Sequence, residues 1–162
     1  MPKSTDVRQW LRTHRGLVLL GALALLIDRA TKVWALTVLV RGPIPLGKYF
    51  WLNYVENTGA AFGMFQNGKG LLIGVMLAIL GYLVWSWKDL AKYGRMAEYG
   101  AILIIAGALG NLYDRITLGF VVDFLDFRVW PVFNVADACI TVGAAVLGMA
   151  FLRAASSKQE EK

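Results

Sequence analysis

Residues 70–87 read GLLIGVMLAILGYLVWSW, eighteen consecutive residues without a charged side chain. An α-helix rises about 1.5 Å per residue, so about 20 mainly apolar residues cross the roughly 30 Å hydrocarbon core of a bilayer. A stretch of this length and composition predicts a membrane-spanning helix. We therefore interpret the rest of the chain as part of a membrane protein, with lipid around some of its surface.

The composition of the whole chain supports the same class. Of its 162 residues, 57% are hydrophobic and 17% are charged, against about 45–50% and about 25% in a soluble domain. The single cysteine, Cys139, excludes a secreted module held together by disulfides. A net charge of +6 would suggest a nucleic-acid partner in a soluble protein, but here the cations flank apolar segments and no such partner is expected. We expect one compact integral membrane domain over residues 1–162.

Three further apolar segments complete a set of predicted spans. The spans lie at about 16–40, 70–87, 99–113 and 136–152, with outward loops at 41–69 and 114–135. The first span is interrupted by Asp28-Arg29-Ala30-Thr31-Lys32. No small-x-small cleavage site precedes this interruption, and the apolar pattern resumes at Val33. Residues 1–27 are therefore not interpreted as a cleaved signal peptide, and residues 16–27 are assigned to the first span.

The lysines and arginines predict the orientation of the spans. Ten of them lie in the N-terminal segment, the loop between the second and third spans, and the C-terminal tail, whereas five lie in the other two loops. Because cationic residues favour the cytoplasmic side of a membrane, both termini are predicted to be cytoplasmic and the two longer loops to face outward.

Both outward loops are rich in aromatic residues. In the first, Tyr49-Phe50-Trp51-Leu52-Asn53-Tyr54-Val55 follows Gly42-Pro43-Ile44-Pro45, a pattern typical of a short strand or hairpin after a chain-breaking segment. The second loop carries Phe120, Phe124 and Trp130. The predicted fold class is a mainly α membrane protein, with four transmembrane helices and a small extracytoplasmic β platform beside the mouth of the bundle.

Four aspartates lie at positions where a charged carboxylate costs free energy, because the surroundings are apolar. Asp28, Asp114, Asp123 and Asp137 all lie within or next to predicted spans. A charge near the bilayer centre costs about 2.5–3.5 kcal/mol on insertion scales, and such residues usually face the bundle interior and mark function. Three of the four are predicted at the outer side of the membrane, which makes them candidates for a site.

Asp123 and Asp137 are the most informative pair. They flank a thirteen-residue excursion that contains Pro131. If the excursion folds back, the two carboxyls meet at the edge of the hydrocarbon and share one proton, because two neighbouring carboxyls cannot both ionise readily. Such a pair performs aspartic proteolysis. The spacing leaves an alternative open, in which Asp137 caps the fourth helix and Asp123 is a loop residue.

Asparagines accompany these aspartates. Asn57, Asn111 and Asn134 offer amide donors and acceptors that add no charge, although turn and N-cap roles are equally open. The only histidine is His14, in the basic N-terminal segment, which argues against Ser-His catalysis and against a histidine-rich zinc site. No metal and no cofactor are predicted.

Five segments, taken together and in order, resemble bacterial lipoprotein signal peptidase, also called signal peptidase II. They are Asp28-Arg29-Ala30-Thr31-Lys32, Asn57-Thr58-Gly59-Ala60-Ala61-Phe62, Gly107-Ala108-Leu109-Gly110-Asn111-Leu112-Tyr113-Asp114-Arg115, Val121-Val122-Asp123-Phe124 and Phe133-Asn134-Val135-Ala136-Asp137. The sequence departs from the family in Arg29, where glutamine is frequent, in Ala138, where serine is frequent, and in the short excursion between the two aspartates.

The resemblance implies an aspartyl endopeptidase of the bacterial cytoplasmic (inner) membrane. It would remove the signal peptide from diacylglyceryl-modified prolipoproteins, cleaving before the lipidated cysteine. Its partners would be these substrates and membrane lipids, and it would act as a monomer without a cofactor. By the same resemblance the catalytic residues would be Asp123 and Asp137, and the substrate-binding or supporting residues would be Asp28, Lys32, Asn57, Gly59, Asn111, Asp114, Arg115 and Asn134.

Two other interpretations remain open at the level of the residues. A proton-relay protein or small transporter would use Asp28, Asp114 and Asp137 as a path, but it needs carboxylates spread through the membrane depth. A structural scaffold would pair its buried carboxylates with Arg29, Lys32 and Arg115. The positions of these side chains in the fold separate the three interpretations.

Overall fold

The computed structural model describes residues 13–59 and 69–160. Most of the basic N-terminal segment and the Ala60-Ala61-Phe62 part of the second motif lie outside these residues. The helices are α1 (Arg15–Val38), α2 (Lys69–Trp85), α3 (Trp87–Ala91), α4 (Arg95–Thr117) and α5 (Val135–Glu160), with a 3-10 turn at Leu39–Arg41. Thus a long helix occupies each position at which a span was predicted.

Two of the helices qualify as membrane spans by length and composition alone. These are α4, over Arg95–Thr117, and α5, over Val135–Ser157. The apolar part of α2, Gly70–Trp85, is shorter, and α1 carries the charged cluster around Asp28. A mainly helical membrane fold, as predicted, is confirmed.

The helix boundaries differ from the predicted spans in an informative way. The third span was predicted at 99–113, with Asp114 and Arg115 in the loop, but α4 runs from Arg95 to Thr117. The charges do not end the helix, because Asp114 and Arg115 are buried against partners on other elements. The second predicted span ends early, at Trp85, and is followed by the short α3.

Three short strands form the predicted β platform. They are β1 (Ile44–Pro45), β2 (Trp51–Asn57) and β3 (Val121–Asp126), antiparallel in the order β1-β2-β3. Val122 and Phe124 of β3 are buried against Ala35 and Leu39, at the end of α1 and in the 3-10 turn. Because side chains alternate along a strand, Asp123 points to the opposite face, away from this apolar cluster.

Helices α4 and α5 cross at two facing glycines. A Cβ added to Gly143 would lie 2.6 Å from the carbonyl oxygen of Gly100, and one added to Gly100 would lie 2.7 Å from that of Gly143. Small residues allow helix backbones to approach this closely in membranes. The crossing fixes α5 against α4, so the polar residues near the N-terminus of α5 have a fixed position relative to those on α4.

We expect Gly143→Ala to destabilise the protein by about 1–3 kcal/mol, because the added methyl group forces the two backbones apart. Thermal unfolding in detergent measures the effect. Gly148→Ala is the matched control on the same helix, since a Cβ there meets no atom within 4 Å. Equal melting temperatures for the two variants would contradict the close crossing.

Candidate active site

A buried lysine connects α1 to α4. Lys32 is fully buried, and its Nζ lies 3.0 Å from Asp28 Oδ2, 3.0 Å from Asp114 Oδ2 and 2.9 Å from Asn111 Oδ1. Asp28 and Lys32 are four residues apart and therefore share one face of α1. An ammonium group has three N–H donors, and each of them has an acceptor here.

The two aspartates bound by Lys32 also hold the backbone of neighbouring elements. Asp28 Oδ1 accepts a hydrogen bond of 3.0 Å from the backbone N–H of Ala136 in α5. Asp114 Oδ2 accepts one of 3.2 Å from the backbone N–H of Val122 in β3. Asp114 also forms an ion pair of 2.6 Å with Arg29. Asp28 and Asp114 therefore have structural partners, as the scaffold interpretation expected of buried carboxylates.

Helix α5 begins with a reciprocal cap between Asn134 and Asp137. Asn134 Oδ1 accepts a hydrogen bond of 2.9 Å from the Asp137 N–H, and Asp137 Oδ2 accepts one of 3.1 Å from the Asn134 N–H. This is the capping-box arrangement, in which residues N-cap and N3 satisfy each other's backbone donors. Capping leaves Asp137 Oδ1 free to accept a hydrogen bond of 2.7 Å from Asn111 Nδ2. The two alternatives drawn from the sequence are thus compatible, since one oxygen of Asp137 caps the helix and the other faces the site.

Asp123 is held by two amides. Its Oδ2 accepts a hydrogen bond of 2.8 Å from Asn57 Nδ2, and its Oδ1 accepts one of 2.6 Å from Asn134 Nδ2. The side chain of Asn134 therefore contacts both Asp123 and the backbone of Asp137. The Phe124–Ala136 excursion does fold back, which the sequence had left open, because the N–H groups of Phe124 and Leu125 both donate to the carbonyl of Phe133.

Arg115 and Gly59 complete the polar rim. Arg115 Nη2 donates a hydrogen bond of 2.8 Å to the Gly59 carbonyl. The N–H of Gly59 in turn donates to Asn57 Oδ1 at 3.0 Å. With its oxygen occupied, the Asn57 amide directs its NH₂ group toward Asp123.

Both carboxyls open onto one cavity of about 530 Å³. Its polar wall contains Asp123, Asp137 and the asparagine and arginine side chains around them. The remaining lining residues are mostly apolar and come from the start of β3, the excursion and the first turns of α5: Val121, Trp130, Pro131, Val132, Phe133, Ala138, Ile140, Thr141 and Val142. Residues 13–59 and 69–160 contain no group of three His, Cys, Asp or Glu side chains placed to hold a metal.

The environment of Asp123 favours its protonated form. Burial raises the pKa of the Asp123 carboxyl to about 7, and the negative charge of Asp137 acts in the same direction. Hydrogen bonds from Asn57 and Asn134 and the charge of Lys32 lower this pKa and limit the rise. Near neutral pH Asp123 therefore exchanges its proton readily, as a group in acid–base catalysis must.

Sequence reasoning did not identify the apolar wall of the cavity or the hydrogen bonds that connect the charged residues around it. Thr141 lies one helical turn after Asp137 and lines the same cavity, a relation that the i, i+4 spacing could have indicated. The contact of Asp28 with Ala136 joins residues 108 positions apart, and no local pattern indicates it. The carboxyls also gather around one end of the bundle, which does not suit a relay through the membrane depth.

Comparison with known proteins places this geometry in context. Residues 20–153 match the profile of the family described as signal peptidase (SPase) II. The chain is 41% identical over 150 residues to the lipoprotein signal peptidase of Pelotomaculum thermopropionicum, covering 90% of this chain and 99% of that protein. It is 44% identical over 136 residues to that of Clostridioides difficile, covering 80% and 90%. A bacterial membrane enzyme solved by the in meso method superimposes with a TM-score of 0.81 at 27% identity, covering 91% of this chain and 93% of the other.

Proposed function

Because the chain belongs to the signal peptidase II family, we propose that Asp123 and Asp137 form the catalytic dyad with which it removes signal peptides from prolipoproteins. The family is one of aspartic peptidases. The observation that carries the assignment is that the two carboxyls line one cavity and are both bonded by Asn134, whose side chain donates to Asp123 Oδ1 and whose backbone N–H donates to Asp137 Oδ2. Asp28 and Asp114, by contrast, are occupied by Lys32 and Arg29.

The two carboxyls divide the work of peptide hydrolysis. We assign the proton of the resting pair to Asp123, because burial favours the neutral form of its carboxyl. It donates a hydrogen bond to the scissile carbonyl, while ionised Asp137 accepts a proton from the attacking water. The proton gained by Asp137 then passes to the leaving nitrogen. This is general acid–base catalysis by a coupled pair.

The charges around the dyad support a single shared proton. The cluster contains three cationic side chains and four carboxyls: Arg29, Lys32 and Arg115, with Asp28, Asp114, Asp123 and Asp137. It is neutral when one of the four carboxyls is protonated. In a low-dielectric site an uncompensated charge is costly, so the singly protonated dyad is the favoured state.

The lining of the cavity supports a lipid-modified substrate. Ile140 and Val142 of α5 and Trp130 of the excursion provide apolar surface next to the dyad. We infer that the chain cleaves before a cysteine carrying a diacylglyceryl group, with the acyl chains remaining in the bilayer. The peptide backbone then meets the polar wall, where Arg115 lies.

The same proposal includes a location and a topology. The distribution of lysines and arginines supports four spans across the bacterial cytoplasmic membrane, cytoplasmic termini and a site at the outer face. Water reaches the dyad there, and the substrate need not leave the membrane. We propose one domain that acts as a monomer.

We expect kcat/KM to fall as the pH rises through about 7. The raised pKa of Asp123 keeps the shared proton on the dyad below that pH, and above it both carboxyls ionise and the general acid is lost. Cleavage rates of a lipid-modified precursor in detergent, measured across the neutral and alkaline range, test this. A rate that stays constant well above pH 7 would contradict the role of Asp123 as the acid.

The proposed substrate is tested by comparing two forms of one prolipoprotein. Purified protein is incubated with the diacylglyceryl-modified precursor and with its unmodified counterpart, and loss of the signal peptide is followed by gel mobility and mass. We expect cleavage of the modified form alone, next to the modified cysteine. Equal cleavage of both forms would overturn the requirement for lipid while leaving the peptidase activity in place.

A further inference from the structure

Asn111 lies between the buried Lys32 and the proposed dyad. Its side-chain amide has an acceptor oxygen at one end and an NH₂ donor at the other. Its Oδ1 accepts hydrogen bonds from Lys32 Nζ at 2.9 Å and from Asn134 Nδ2 at 3.1 Å. Its Nδ2 donates to Asp137 Oδ1 at 2.7 Å. Rotating the amide by half a turn would place its NH₂ group against an ammonium group and its oxygen against a carboxylate, so both contacts would become repulsive.

Lys32 and Asp137 fix this orientation from opposite ends of the amide. An ammonium group has only N–H donors, so Lys32 donates to the oxygen end of the neighbouring amide and repels its NH₂ end. Lys32 itself is held by the carboxylates of Asp28 and Asp114 at 3.0 Å each and is fully buried. The direction of the Asn111 amide is thus set in part from the side opposite the cavity.

The orientation continues into the second amide. Because Asn111 presents its oxygen, it accepts one hydrogen of Asn134 Nδ2, and the other hydrogen goes to Asp123 Oδ1. Asn134 Oδ1 is occupied by the Asp137 N–H. Both hydrogens of its amide are therefore committed within the site, so Asn134 orients the dyad and has no spare donor for a substrate backbone.

Resting on the proposed dyad, we propose that Lys32 is a positioning residue for catalysis. Its ammonium group orients the Asn111 amide and, through it, the Asn134 amide, so that both direct N–H donors at the two carboxyls. The dyad then meets the substrate with its oxygens already held at fixed positions. Such preorganisation acts on the chemical step, because displacing a reacting group by about 1 Å costs on the order of 100-fold in rate.

The test measures Lys32 substitutions in an Asp28→Asn parent, so that no unpaired carboxylate of Asp28 is left behind. We expect Asp28→Asn/Lys32→Met to lower kcat by on the order of 100-fold relative to the parent, with KM little changed. The alkaline limb of the pH profile should move to higher pH, because the charge of Lys32 lowers the pKa of Asp123. The other charged groups near the dyad, Asp114, Arg115 and Asp137, are the same in both proteins.

Lys32→Gln in the same parent separates orientation from charge. Glutamine keeps an N–H donor for the Asn111 oxygen but carries no charge. We expect it to share the shifted alkaline limb and to recover much of the lost kcat. If the methionine variant does not fold, the shift of the alkaline limb in the glutamine variant tests the proposal. If the Asp28→Asn parent cleaves too slowly to measure, Lys32→Gln is made in the wild-type chain instead.

Three results would overturn the proposal: equal kcat and equal pH limbs in the parent and both variants, a rise in KM at constant kcat, or equal kcat in the Met and Gln variants. Failure of the dyad assignment is distinguishable, because the parent would then still cleave after Asp123→Asn is added. Thermal unfolding of every variant in detergent separates loss of folded protein from loss of rate.

Discussion

We expect Asp123→Asn and Asp137→Asn each to reduce cleavage of a lipid-modified precursor by about 10²–10⁴-fold while the protein stays folded. Either change removes one of the two groups that exchange protons with the water and the substrate. Asparagine has nearly the same shape as aspartate, but its NH₂ group cannot accept a hydrogen bond. Each variant therefore keeps one of the two hydrogen bonds that the carboxylate accepts and loses the other. Single-turnover cleavage, followed by gel mobility and mass, measures the loss.

Asp126→Asn is the matched control for this prediction. Asp126 lies on the same strand as Asp123 and is also buried, but its carboxylate contacts Arg128 and Asn53. We expect this variant to cleave at close to the wild-type rate. Substantial cleavage by either dyad variant would refute the assignment, whereas equal loss in the Asp126 variant would point to damage of the sheet.

We expect Lys32→Met alone to lower the free energy of unfolding by about 3–5 kcal/mol, the usual cost of breaking a buried ion pair from one side. Methionine fills nearly the same volume, so packing changes little. The cost comes from Asp28, whose carboxylate would keep the Ala136 N–H but lose its cation. Asp114 would still have Arg29. Unfolding in detergent with a denaturing surfactant measures the difference from wild type.

Neutralising the partner should restore most of this stability. In Asp28→Asn/Lys32→Met no carboxylate of Asp28 remains, and the asparagine oxygen can still accept from Ala136. We expect the double variant to lie within about 1–2 kcal/mol of the wild type, because replacing a whole buried pair is often close to neutral. If the double variant were as unstable as Lys32→Met, loss of packing and not of charge would be the cause.

The parts of the fold that the sequence predicts well are those that depend on local composition. Apolar runs of about 20 residues locate the four long helices, and an aromatic segment after Pro45 locates a strand, since each pattern reflects the solvent around one segment. The sparse charge made the aspartates visible as candidates. The catalytic role of Asp123 and Asp137 stays a prediction until the variants are measured.

The parts that the sequence did not predict depend on contacts between distant segments. Charge at Asp114 and Arg115 suggested a helix end, because their partners Lys32 and Gly59 come from elements that no local window includes. For the same reason the cap and the site were alternatives for Asp137, although one of its oxygens caps the helix while the other accepts a hydrogen bond from Asn111 at the cavity. A local sequence pattern indicates whether a segment is surrounded by water or by apolar groups. It does not indicate which distant residues the side chains of that segment contact.

The hydrogen bond from Ala136 to Asp28 also concerns how the protein is made. The site residues on α1, β2, α4 and β3 are incomplete without α5, which supplies Asp137. The first turn of α5 is held by α1 through the hydrogen bond from Ala136 to Asp28. Helix α5 follows these elements along the chain, so a nascent chain that stops before Asp137 lacks half of the proposed dyad. We expect such a truncated product to be inactive, so that the membrane is not exposed to a partly built peptidase.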